Sequence, residues 1–140
     1  MAAAREAADE AGVPLFVNAR VDTRLRGTGG LGETLKRAAA FLAAGADGVF
    51  VPGVVDPVTV KVLAEGAEGP LNVMVGPGAP PVAELAALGV ARVSAGPGIA
   101  QAANGLVHRA ARELPDAGTY ETWTGGLGCG ELNGCTDRGR

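Results

Sequence analysis

Arg20 and Asp22 stand two residues apart near the end of the stretch FVNARVDT (16–23). An apolar, strand-like run that finishes on a guanidinium and a carboxylate is equipped to bind. Arginine keeps its charge and offers a planar fork of donors, which matches a carboxylate or a phosphonate. Asn18 precedes Arg20 by two residues and shares its side of an extended chain. Ser94 and Gly96 fall in a second segment of the same kind, ARVSAGPG (91–98). Glycine-rich turns there let backbone N–H groups approach an anion. Asn18, Arg20, Asp22, Ser94 and Gly96 are therefore the candidate binding set for a small anionic substrate. The plain alternatives are mutual pairing of Arg20 with Asp22 and a GPG that is only a turn. No residue is singled out as a catalytic acid, base or nucleophile.

Other chemistries find little support. Cys129 and Cys135 lie in a glycine-rich tail, and the single histidine, His108, is far from both in sequence. A tetrahedral metal site wants four ligands, so no metal site is read and the cysteines are expected to be free thiols. Lys and Arg number 12 against 15 acidic residues, for a net charge of −3. With no basic stripe, nucleic acid is excluded as a partner. No apolar run approaches the roughly 20 residues of a membrane helix. The opening MAAAREAADEAG lacks a secretory apolar segment, and the expected location is cytoplasmic. No G-x-G-x-x-G follows the first strand, which counts against a nucleotide-binding doubly wound domain.

Four repeated units position these residues. Strands are predicted at 14–19, 47–51, 70–75 and 91–95, each followed by a Gly/Pro loop and a helical period. In ETLKRAAAFLAAG, Leu35, Ala38, Ala39 and Leu42 fall on one stripe, and Gly45 stops the helix. Asp56 is a good N-cap and Pro57 a good first residue of the next helix. Pro81 opens a third. A fourth carries Ile99, Ala102, Ala103, Leu106, Val107 and Ala110 on one side. Alternation places Phe16, Asn18 and Arg20 on one face of the first strand and Leu15, Val17 and Ala19 on the other, which would meet helices. Asn72 with Met74, and Arg92 with Ser94, extend the polar face across the sheet. The segments 42–53 and 85–98 resemble one another, as repeats of one structural unit do. The fold class expected is α/β, with four βα units forming half of a (β/α)8 barrel, since a whole barrel takes about 250 residues. The domain expected spans 1–115, followed by an irregular, loosely packed Gly-rich tail at 116–140. Arg24, Arg26, Lys36 and Arg37 read as surface charge, and His108 as solvated.

Three blocks, REAADEAGVPLFVNARVDTRL, AAGADGVFVPGVVDP and PLNVMVGPGAPPVAELAALGVARVSAG, together resemble the isocitrate lyase/phosphoenolpyruvate mutase superfamily, in its phosphonomutase-like branch. The resemblance covers about residues 2–115 and only the C-terminal half of the family's barrel. It implies a magnesium-dependent enzyme that cleaves or forms C–C or P–C bonds of small 2-oxo acids or phosphonates. It also implies that Arg20 holds the substrate's anionic group and that Asp22 orients that arginine or a metal-bound water. The family's metal-binding aspartates belong to the first half, and no counterpart is found here. The N-terminal stretch likewise reads as the second part of a helix. The chain is expected to be a truncated or split form that supplies an anion clamp without metal ligands. Its open sheet edges favour a homo-oligomer or pairing with a missing N-terminal half. The alternative is a non-catalytic half-barrel that only associates.

Overall fold

The computed structural model describes residues 1–136. They divide into two compact units, Met1–Gly96 and a second from Pro97 onward. The first unit runs α1 (Ala2–Glu10), β1 (Asn18–Arg20), α2 (Leu31–Ala43), β2 (Gly48–Val51), α3 (Pro57–Gly66), β3 (Leu71–Met74), α4 (Val82–Ala87) and β4 (Val90–Ser94). All four strands are parallel, in the spatial order β1-β2-β3-β4. A doubly wound sheet reverses its strand order at a switch point. Here the chain advances one way only, and right-handed crossovers then place every helix on one face. This is the winding of a (β/α)8 barrel, and it removes the nucleotide-binding alternative.

Burial follows that geometry. Ala19, Val21, Val49, Val51, Leu71 and Val73 are buried on the helix side of the sheet. They pack with Ala38 of α2, Val60 and Leu63 of α3, and Leu85 of α4. β1 is shorter and later than the predicted 14–19: Leu15 and Phe16 are exposed and precede it. As an edge strand it has one partner, and its entry is held by backbone and side chain together: the Val17 carbonyl accepts from the Asp47 N–H at 2.9 Å, and the Val17 N–H donates to Asp47 Oδ2 at 2.7 Å. The same carboxylate pairs with Arg5 of α1. Ala39 is exposed, contrary to the predicted stripe. Thr34 is buried on the inner side of α2 in addition to Ala38. Asp56 caps α3, accepting from the Thr59 N–H at 2.9 Å, and Pro57 opens it, as the sequence indicates.

The second unit contains α5 (Gly98–Ala117), a 3-10 turn (Glu121–Trp123) and α6 (Cys129–Thr136). None of the residues of α5 is fully buried, so its apolar stripe is exposed. The helix continues through Pro115, because a proline in the last turn forfeits only one backbone bond, and Gly118 at φ 69 ends it. Regular structure therefore enters the region read as an irregular tail, whose residues 137–140 lie outside the described ones. Glu113 organises the chain after α5. Its carboxylate accepts from Thr119 Oγ1 at 2.6 Å, from the Glu121 N–H at 2.7 Å and from the Thr122 N–H at 2.9 Å. Cys129 and Cys135 are unpaired and exposed, as is His108. No described helix is long and apolar enough to cross a membrane.

Two outcomes are expected. Leu63→Ala, at a site 1% exposed, destabilises the chain by about 2–5 kcal/mol in urea unfolding, whereas Val58→Ala in the same helix, at 76% exposure, changes little. The Thr119 hydroxyl and the N–H groups of Thr122 and Glu121 hold Glu113 down to about pKa 2. A depressed carboxylate stabilises the fold above its unfolded pKa, and that contribution is lost as pH falls through the folded value. Amide protection at Glu121 and Thr122 should therefore decline between about pH 4.5 and about 2, and Glu113→Gln should lower it at neutral pH.

Candidate active site

The face of the sheet away from the helices carries the polar side chains. Register sets Arg20 beside Phe50, Phe50 beside Asn72, and Asn72 beside Arg92, so one row crosses all four strands. Arg20 is the last residue of β1 and lies at the carboxyl end of its strand, where ligands of parallel β/α folds bind. Its Nε donates to Asp22 Oδ1 at 2.5 Å, and its guanidinium lies 5.7 Å from the centroid of the Phe50 ring. The side chain is 52% exposed and that of Asp22 33%. Asp22 thus takes the inner edge of the fork and Phe50 supports the group. Among the described residues the two terminal nitrogens have no partner. They are the pair that would accept a carboxylate or phosphonate bidentately.

A cavity of about 280 Å³ opens beside this pair, lined also by Thr23, Thr28, Arg26 and Arg37. Arg37 is matched by Glu33, Nε to Oε1 at 2.7 Å. Arg26 has no carboxylate partner among the described residues, so the neighbourhood is net positive. Arg26 and Arg37 read as ordinary surface charge in the sequence, and the fold brings them to the cavity of Arg20. The loop that carries Asp22 is pinned from below. The Thr23 and Thr34 hydroxyls are buried and 2.6 Å apart, and Thr34 Oγ1 donates on to the Gly30 carbonyl at 3.0 Å. Sequence reasoning missed this pair, since a lone threonine on a helix reads as surface.

The remaining candidates lie apart from the arginine. Ser94 exchanges hydrogen bonds with Asn72: Nδ2 donates to Oγ at 3.0 Å and Oγ to Oδ1 at 3.1 Å. Asn72 is buried, so this contact satisfies a polar side chain that would otherwise be orphaned. Gly96 ends the first unit at φ 53, and a Cβ there would stand 2.8 Å from Met74 Sδ. The position calls for glycine on both counts. Asn18 lies on the same face as Arg20 but borders a different hollow, with Phe16, Asn72 and Arg92. The structure thus joins Arg20 with Asp22, joins Ser94 with Asn72, and leaves Asn18 in neither pair. No group of three His, Cys, Asp or Glu among the described residues could hold a metal ion, so the side chains present do not fit the magnesium that the resemblance implies.

A one-way parallel β/α sheet with its helices on one face defines a barrel-type α/β fold. The chain belongs to the phosphoenolpyruvate phosphomutase family, whose model matches residues 1–115. Among solved structures it is similar to a candidate lyase/mutase of Burkholderia cenocepacia, at 36% identity and a TM-score of 0.88 over 94% of this chain and 48% of that one. It is also similar to a candidate phosphonomutase of the same organism, at 43% identity and a TM-score of 0.73 over 80% of this chain and 47% of that one. A third likeness is to 2,3-dimethylmalate lyase, of the PEP mutase/isocitrate lyase superfamily, at 25% identity and a TM-score of 0.71, covering 85% of this chain and 44% of the lyase. The chain thus spans about half the length of these proteins. It spans 32% of the length of two curated proteins of Mycobacterium tuberculosis, which it matches at 47% identity over 83 residues.

The Asn72–Ser94 pair yields a test. Ser94→Ala should cost about 1–3 kcal/mol in unfolding free energy, because it leaves a buried amide unpaired. A double-mutant cycle with Asn72→Ala should show coupling of about 0.5–3 kcal/mol. Additive single effects would mean that the pair does not support the fold.

Proposed function

We propose that this chain is the anion-anchoring half of a lyase or phosphonomutase-type enzyme, acting on small 2-oxo acids or phosphonates. Family membership over residues 1–115 supports the reaction class, and the similar Burkholderia proteins point to the same chemistry. The observation that carries the reading is the posture of Arg20: Nε tied to Asp22, one face toward Phe50, and both terminal nitrogens open. A guanidinium stays protonated throughout any such reaction, so Arg20 is an anchor and not an acid or base. It would hold the substrate's carboxylate or phosphonate and so fix which bond faces the rest of the site. The described residues offer no ligand set for magnesium, and no step is assigned to it here. Under this reading its ligands, and the group that moves protons, come from outside the described residues.

Titration of the chain with oxalate, followed by NMR at the Arg20 side-chain N–H signals, tests the anchor. Arg20→Lys should weaken binding about tenfold, equivalent to about 1.4 kcal/mol, because a point charge replaces the fork. Arg20→Ala should abolish binding, and Lys61→Ala, far from the cavity, should leave it intact. Oxalate affinity unchanged in Arg20→Ala would sink the proposal.

A further inference from the structure

Arg20 is aimed by groups that lie beneath it in the core. We infer that the buried hydroxyls of Thr23 and Thr34 are positioning residues for the anion anchor, acting through Asp22. The inference rests on reading Arg20 as the anchor, and it names what sets the direction of that side chain.

β1 ends at Arg20, but its pairing with β2 continues one residue further: the Val21 N–H donates to the Phe50 carbonyl at 2.8 Å. In extended chain, successive side chains face opposite ways. Val21 and Thr23 turn inward, where they are buried, and Arg20 and Asp22 share the outer side. Asp22 is thus a single residue between two fixed points. Val21 is held by its backbone bond and by the core. Thr23 is held twice. Its carbonyl accepts from the Thr28 N–H at 3.0 Å, and its hydroxyl lies 2.6 Å from that of Thr34.

The direction of the hydroxyl contact follows from counting protons. A threonine hydroxyl has one to give. Thr34 gives its own to the Gly30 carbonyl at 3.0 Å, so Thr23 donates to Thr34. This relay ties the loop to the first turn of α2, the helix that also brings Arg37 and Phe41 to the cavity of Arg20. Burial alone does not call for hydroxyls at these two sites. Replacing both partners of a hydrogen bond by apolar groups of the same shape is close to neutral for stability, and a pair of valines would fill the same space. What the hydroxyls add is a bond with a direction. It limits how far Thr23 can turn, and the neighbouring Asp22 is limited with it. Without the tie Asp22 swings, its bond to Arg20 Nε is made only part of the time, and the terminal nitrogens lose a single orientation.

The test compares the unaltered chain with the double variant Thr23→Val/Thr34→Val and with Thr34→Ser, which keeps the hydroxyl. The first readout is exchange of the Arg20 Nε–H with water, followed by NMR without any ligand. The double variant should exchange about fivefold faster, the loss expected for about one hydrogen bond. Amide protection in β2 and β3 should stay as in the unaltered chain, and the serine variant should restore slow exchange. In the second readout, oxalate should bind the double variant about fivefold to tenfold more weakly, and the serine variant as the unaltered chain does. Unchanged Nε–H exchange in a folded double variant overturns the inference. So does faster exchange that serine does not restore. If the double variant unfolds, or loses protection in β2 and β3 as well, the hydroxyls serve the fold and the inference also fails. The exchange readout needs no oxalate, so a failure of Arg20 to bind it would fall on the anchor reading alone.

Discussion

Each strand joins the sheet on the same side as the one before it, and this leaves α2, α3 and α4 nowhere to lie but over a single face. The two faces of the sheet therefore live under different rules. On the covered face, Ala19, Val21, Val49, Val51, Leu71 and Val73 meet helix side chains and are almost wholly removed from water. That burial is the main apolar driving force for this unit. On the other face no helix can follow, and side chains there are free to be polar. The functional candidates are consequences of this asymmetry. A residue on the even-numbered side of β1 or β3 faces the interior of a barrel, and its odd-numbered neighbour faces the helices.

On the open face, the surroundings of a charge decide its use more than its identity does. Arg20 has a carboxylate on its inner edge and an aromatic ring near its face. Those contacts limit the rotamers of a long side chain and fix the direction in which its terminal nitrogens face. Asp22 in turn rides on a loop held by the buried Thr23–Thr34 hydroxyl pair. The chain of dependence runs from a threonine on α2, through the loop, to the direction of a guanidinium at the strand end. Loss of the hydroxyl contact would loosen the aim of Arg20 without touching it.

Much of this is legible in the residues themselves. Alternation in NAR and LNVM separates the faces correctly, because both strands have a helix layer on one side only. Asp56–Pro57 reads as a helix start because cap and first residue are both local choices, and no distant contact competes with them. The failures are also local in origin. Leu15 and Phe16 have strand-forming character, yet β1 begins only at Asn18, since an edge strand without a second neighbour gains little from pairing earlier residues. The region after residue 115 reads as irregular, yet α5 runs on to Ala117 and a short helix follows at Cys129–Thr136. The links through Asp47 and Thr34 join residues 30 and 11 positions apart, and nothing in a single sequence marks such partners. Arg26 and Arg37 are not recognisable as neighbours of Arg20 for the same reason: only the turn after β1, and the α2 helix it leads into, brings them to the same cavity.

The row Arg20–Phe50–Asn72–Arg92 shows how one face can hold two cations for different ends. The outer members sit on the two edge strands, three strand spacings apart, which is about 14 Å along the sheet. At that distance, screening by water and salt makes their mutual repulsion small while the face is open. Closing a barrel over the row removes the water, and the same two charges then interact through a poorer dielectric. Arg20 is prepared for that change, because Asp22 travels with it. Arg92 is not, because Asn72 beside it is already committed to Ser94 and carries no charge. The two cations of the row thus differ in kind: Arg20 carries its own counter-charge, and Arg92 has none among the described residues.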